Sequence, residues 1–232
     1  MSGTRSLLLI RHGQASFSAE DYDRLSPIGE QQSRQLGSWL VACGQAPDLV
    51  VIGPRERHRR TAELCLAVAG VTKAPLMLDG LDEVDHHELL ARLRPDLRGP
   101  GALRAELKRN SDPHRAFQQW FADAIARWVG GAHDAEYTLT WPRFRSQVLA
   151  TLDTLAAHEA RTIWAFTSGG PIAVLTNALT EAPAAQTFKL SWPLVNTGIT
   201  RVRLGRQGPA LVTYNAWPHL EHAGDETLVT LR

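Results

Sequence analysis

Ser6-Leu7-Leu8-Leu9-Ile10-Arg11-His12-Gly13-Gln14 is the stretch from which the fold of this chain can be read. Its apolar run has no alternation and is bordered by polar residues, the pattern of a short strand buried on both faces. Two later runs repeat it, Leu49-Val50-Val51-Ile52 and Thr162-Ile163-Trp164-Ala165-Phe166. Helical periodicity fills the intervals. Ser26-Pro27 offers an N-cap followed by Pro at the first helical position, after which Ile28, Leu36, Trp39, Leu40 and Cys43 share a face. Ala62, Cys65, Leu66 and Ala69 form a second stripe, and Phe144, Val148, Leu152, Leu155 and Ala156 a third, entered through Thr140-Trp141-Pro142. Strands alternating with helices predict an α/β fold: a three-layer α/β/α sandwich around a mostly parallel sheet.

Two stretches break the alternation. Residues 86–131 hold no strand pattern. Their helix-like segments are interrupted by Pro95, Gly99-Pro100-Gly101 and Pro113, and Phe117, Trp120, Phe121, Ala124 and Trp128 form an aromatic stripe. A helical cap insertion over one end of the sheet is expected there. Ile199 to Leu204 alternates, and Ala210 to Tyr214 follows a Gly-containing turn, which predicts an antiparallel edge at the C-terminal side. With no repeat or long linker, residues 1–232 are expected to form one domain carrying that insertion.

Composition narrows the possible functions. Lys and Arg total 25 against 24 Asp and Glu, a formal net charge of +1. Nucleic-acid binding, which usually shows as a basic domain or stripe, is not expected. No apolar run approaches the roughly 20 residues of a membrane span, so no membrane partner is expected either. Met1 to Ser6 enters the first strand run without a long apolar stretch or cleavage site. Cys43 and Cys65 sit in helix-like patterns and are expected as buried core thiols of a cytoplasmic protein, not as a disulfide or metal pair.

The chemistry gathers where the strand runs end. The first ends in Arg11-His12-Gly13-Gln14, the second passes through Gly53-Pro54 to Arg57 and Thr61-Ala62, and the third ends in Thr167-Ser168-Gly169-Gly170-Pro171. Ligands of open α/β sheets bind outside the carboxyl ends of the strands, so one shared pocket is expected. Arg11 and Arg57 would supply forked donors suited to phosphate oxygens. Gly169-Gly170 would offer backbone N–H groups at a helix start.

These segments resemble the histidine phosphatase (phosphoglycerate mutase-like) superfamily. Arg11-His12-Gly13-Gln14 resembles its signature after the first strand, and Leu25-Ser26-Pro27-Ile28-Gly29 its Leu-Thr-x-x-Gly element. Gly53-Pro54 through Arg57 to Thr61-Ala62 is similar to its Ser-Pro-x-x-Arg-x-x-x-Thr-Ala helix start. Leu81-Asp82-Glu83 resembles its acid segment, and Thr167-Ser168-Gly169-Gly170 its Ser-His-Gly-Gly turn. Asn215 through His219-Leu220 resembles a C-terminal element of the same superfamily and is taken as structural.

The resemblance implies a cofactor-independent phosphomonoester hydrolase acting on a small phosphorylated substrate, with His12 as nucleophile, Glu83 as general acid and base, and Arg11 and Arg57 holding the phosphate. Arg11, Arg57, Gly13, Ser18, Ser168 and Gly169 are the expected phosphate-binding residues, a set that would equally take a phosphate or sulfate ion. No metal ligands are expected. Ser168 stands where the family carries a second histidine, and a hydroxyl brings no charge. Two outcomes therefore stay open: an attenuated phosphatase, or a phosphate-binding pseudophosphatase with a regulatory or interaction role. Phosphoglycerate mutase activity is a lesser alternative, and a pure interaction module built on the Trp- and Arg-bearing insertion is another. His58, His86, His87 and His219 are the histidines that could compensate. Oligomeric state is left open.

Overall fold

A computed structural model describes residues 5–16, 23–98 and 101–231. Two compact units emerge, Met1–Glu83 with Gln147–Arg232, and Val84–Ser146. The first contains a six-stranded sheet in the order β3-β2-β4-β1-β5-β6. Its strands are β1 (Arg5–Arg11), β2 (Leu49–Ile52), β3 (Leu76–Met77), β4 (Thr162–Thr167), β5 (Ile199–Gly205) and β6 (Gly208–Ala216). β1 through β4 are mutually parallel, whereas β5 runs antiparallel to β1 and β6 antiparallel to β5. The expected α/β/α sandwich with an antiparallel edge is observed.

Helices α1 (Pro27–Ala42) and α2 (Glu56–Ala69) close one face of the sheet. Leu8, Ile10, Val50, Ile52, Trp164 and Phe166 meet Leu36, Leu40, Ala62, Cys65 and Leu66 there. Successive strand residues point to opposite faces, so Leu7 and Leu9, also fully buried, serve the other side. Helix α7 (Gly169–Leu179) packs against β1 and β6 and is buried from Gly169 through Asn177. α1 begins as expected: Gly29 N–H donates to Ser26 Oγ at 3.1 Å, with Pro27 at the first helical position. Helix α8 (Pro218–Ala223) packs against α1.

The second unit holds α3 (His86–Leu93), α4 (Ala102–Lys108), α5 (Pro113–Val129) and the start of α6 (Trp141–Ala157). It has its own aromatic centre, where the Trp128 ring lies 5.4 Å from Trp141 and 5.6 Å from Phe144. Trp120 is only half-buried and carries the Arg94 guanidinium 4.9 Å above its ring.

Cys43 corrects an expectation. It is exposed, because it forms the C-cap of α1, where the chain leaves the helical stripe for Gly44 at φ 64°. Cys65 is buried as expected. β3 was not foreseen: its two residues are exposed and write no apolar pattern of a buried strand.

Registry fixes the location of the chemistry. Ile10 of β1 and Ile52 of β2 both align with Phe166 of β4, so the three strands end at one edge of the sheet. The chain exits are tied there: His12 N–H donates to Thr167 O at 2.9 Å and Gly53 N–H to Phe166 O at 3.0 Å.

Candidate active site

The loop after β1 is held by a close backbone approach. A Cβ on Gly29 would sit 2.2 Å from the Gln14 carbonyl oxygen, and one on Gly13 would sit 2.5 Å from the Gly29 carbonyl oxygen. Only paired glycines let the start of α1 press so tightly on this loop. Gly13 N–H donates to Thr61 Oγ1 at 2.9 Å, and the same hydroxyl donates to Arg57 O at 2.7 Å, joining the loop to the first turns of α2. Asn196 Nδ2 donates to His12 O at 3.1 Å from the other side.

His12 is 7% exposed. Its Nδ1 lies 2.7 Å from the Gly13 carbonyl oxygen. A carbonyl oxygen can only accept, so Nδ1 carries the hydrogen and Nε2 keeps its lone pair. Burial holds the ring's pKa well below its ordinary value, helped by the positive charges of Arg57 and Arg11 and by His58, while the Gly13 carbonyl opposes the shift. The imidazole is therefore neutral, with a nucleophilic nitrogen beside two guanidinium groups.

Arg57 is 5% exposed. Its Nη1 donates to Asp23 Oδ1 at 2.8 Å and its Nη2 lies 3.5 Å from Ser168 Oγ. Asp23 Oδ2 also accepts from Glu56 N–H at 2.8 Å, which anchors the carboxylate to the start of α2. Arg11 Nη1 donates to the carbonyl oxygens of Leu194 and Leu231. Both arginines thus join elements distant in sequence to the edge where His12 stands.

Ser168 is fully buried and makes no capping bond at the start of α7. Its Oγ is instead hydrogen-bonded to His58 Nε2 at 2.6 Å. The cap comes from Glu83, whose Oε2 accepts from Gly170 N–H at 3.0 Å, a favourable place for a carboxylate beside the positive end of a helix. Arg55 fixes this segment from α2's side, with Nε donating to Asp82 Oδ1 at 2.5 Å and Nη2 to Glu83 O at 2.9 Å.

His58, one of the four histidines that the sequence offered as a compensating group, is the one whose ring lies beside His12. It stands in the charged run Arg55 to Arg60, which suggests a solvated helix start, yet it is fully buried with its ring centroid 5.8 Å from that of His12. Burial and the charges of Arg57 and Arg55 keep its pKa well below the ordinary value. A Cβ at position 53 would lie 2.4 Å from His58 Nδ1 and 2.4 Å from Leu81 O. Gly53 and Ser168 thus act together: both are small, on two sides of one imidazole. Two such small residues just past the strand ends are the signal in the sequence that could have singled out His58. Asp23 had no such signal.

His219 is buried, with Nε2 2.8 Å from Thr197 Oγ1, and burial lowers its pKa to about 3. His86 and His87 lie at the start of α3 in the second unit. Gly169 opens α7 and is buried. Ser18 lies outside the described residues. Among the described residues no cluster of three or more His, Cys, Asp or Glu side chains could hold a metal ion, and no helix is long and apolar enough to cross a membrane.

A family model described as histidine phosphatase superfamily (branch 1) matches residues 7–216. The chain belongs to the histidine phosphatase superfamily. A 2,3-bisphosphoglycerate-dependent phosphoglycerate mutase of Thermobifida fusca (strain YX) is 37% identical over 78 residues, 31% of this chain and 31% of that protein. The match therefore spans less than a third of that relative. Among solved structures, a phosphoglycerate mutase from Bacillus anthracis str. Sterne is similar at 15% identity and a TM-score of 0.66, covering 97% of this chain and 98% of that one. A mycobacterial glucosyl-3-phosphoglycerate phosphatase is similar at 21% identity and a TM-score of 0.61, covering 91% and 99%. The alpha-ribazole phosphatase from Shigella flexneri is similar at 19% identity and a TM-score of 0.62, covering 91% and 96%. At these identities the three structures speak for the fold alone. Within the superfamily frame, Arg11-His12-Gly13 stands at the end of the central strand β1, and Arg57 and Ser168 face each other at the same sheet edge.

Proposed function

We propose that this protein hydrolyses phosphomonoesters through a phosphohistidine at His12. The observation that carries this reading is the geometry of the ring: Nδ1 lies 2.7 Å from the Gly13 carbonyl oxygen, which leaves Nε2 as the nucleophile in a cationic setting. A phosphate dianion repels nucleophiles until its charge is offset, and Arg57 and Arg11 supply the offset. The Nε2 lone pair forms an N–P bond as the P–O bond to the leaving alcohol breaks, and Glu83, entering the cycle as the carboxylic acid, gives that oxygen its proton. Water then attacks phosphorus, Glu83 takes the water's proton, and the N–P bond breaks with its electron pair returning to Nε2 as orthophosphate leaves.

The proposed substrate is a small phosphorylated molecule, and the proposed setting is cytoplasmic, which suits an exposed free thiol at Cys43. Ser168 lowers the expected rate, since one missing preorganised donor typically costs about 10²–10³-fold. Turnover of p-nitrophenyl phosphate is expected for the wild type, with a loss of at least about 10³-fold in His12→Ala. A His12→Ala variant that keeps its turnover would overturn the assignment. The uncharged hydroxyl of Ser168 at this edge favours one second reading, a phosphate binder without catalysis. Stabilisation by orthovanadate without any hydrolysis would select it.

A further inference from the structure

The His58–Ser168 pair meets Arg57 at Ser168 Oγ, which lies within reach of both side chains. A guanidinium can only donate, so Ser168 Oγ accepts from Arg57 Nη2 across 3.5 Å. The hydroxyl's own hydrogen then has His58 Nε2, 2.6 Å away, as its partner. In the tautomer that takes this hydrogen, Nε2 holds the lone pair and the ring hydrogen is on Nδ1, on the side facing Gly53. A neutral imidazole satisfies this chain. A cationic one would donate to the same hydroxyl that Arg57 addresses, and it would do so beside the charges of Arg57 and Arg55 and against the ring of His12.

We propose that His58, acting through Ser168, is a positioning residue for Arg57: it draws the Ser168 hydrogen away so that the oxygen steers the guanidinium toward the phosphate position next to His12. Asp23 holds one arm of the guanidinium at Nη1 and Ser168 aims the other at Nη2. The imidazole thus serves the site without touching the substrate, and it reaches Ser168 because position 53 carries no side chain. This inference rests on the phosphatase reading for its assay and on the buried geometry for its content.

Three substitutions test it. His58→Leu keeps an apolar filler but no acceptor, His58→Gln keeps a hydrogen-bonding tip, and Ser168→Ala removes the hydroxyl. With p-nitrophenyl phosphate, kcat/KM is expected to fall about 10–10²-fold in His58→Leu and in Ser168→Ala, and less than about 5-fold in His58→Gln, at matched melting temperatures. Orthovanadate affinity, read by calorimetry, is expected to weaken in the same order, so the comparison holds even where turnover is slow. In an Arg57→Ala background, His58→Leu should change either readout less than about 2-fold, since no guanidinium remains to steer. Equal values for the Leu and Gln variants would overturn the proposal, as would a full His58→Leu effect in the absence of Arg57. Turnover retained by His12→Ala defeats the phosphohistidine reading alone. A wild type that neither turns over nor binds orthovanadate defeats both.

Discussion

Acid should loosen this fold in a defined window. His12, His58 and His219 are all buried, and burial is the largest cause of the lowered pKa in each, so the native state keeps three neutral imidazoles. In the unfolded chain each returns to an ordinary value of about 6.5. Below that pH the unfolded state binds three protons that the native state refuses. Stability is therefore fully present above pH 6.5 and falls as pH drops through it. Each imidazole that stays neutral throughout contributes a little over about 1 kcal/mol between pH 7.5 and 5.5, about 4 kcal/mol for the three, against a total of about 5–15 kcal/mol for a typical domain. Urea unfolding followed by far-UV circular dichroism at pH 7.5, 6.5 and 5.5 measures the drop directly. His219→Gln should reduce it to about 3 kcal/mol, since one proton leaves the difference. An unfolding free energy constant to within about 1 kcal/mol across that range would refute the claim that the three rings are neutral in the native protein.

Two further outcomes are expected. Thr61→Val leaves the Gly13 N–H buried without its acceptor at 2.9 Å, for a loss of about 1–3 kcal/mol, which is a fall of about 2–4 °C in Tm per kcal/mol; calorimetric melting checks it, and a valine variant as stable as the wild type would contradict it. Iodoacetamide should label Cys43 alone in the native protein and Cys65 only after urea, because burial pushes the Cys65 thiol up and closes it from reagent; two labels on the native protein by mass spectrometry would contradict the closed α2 face.

The central strands were legible because a strand covered on both faces carries an unbroken apolar run, as Leu7–Ile10 of β1, Leu49–Ile52 of β2 and Ile163–Phe166 of β4 do. β3 was not, since neither side of Leu76-Met77 is covered. Arg57 was legible through its offset from Thr61, and the structure gives that spacing a cause: the Thr61 hydroxyl links Arg57 O to Gly13 N–H. His58 was legible only as one of four candidates, because a charged run hides which of its members turns inward, and that choice is made by Gly53 and Ser168, the latter 110 residues away. Asp23 was hidden for a similar reason: it is one of three acidic residues in Glu20-Asp21-Tyr22-Asp23, and only the guanidinium arriving from α2 singles it out.

β1 lies between β4 and β5, so the earliest-synthesised strand is the one that needs partners from late in the chain. Ser6 pairs with Thr162, roughly 150 residues downstream. At a synthesis rate of about 5–20 residues per second, the nascent Leu-Leu-Leu-Ile segment waits on the order of 10–30 s before its neighbour leaves the ribosome. During that interval four large aliphatic side chains have no sheet to enter. Newly made chains would then depend on chaperones to shield this segment, and overproduction that outruns the chaperones should drive them into inclusion bodies.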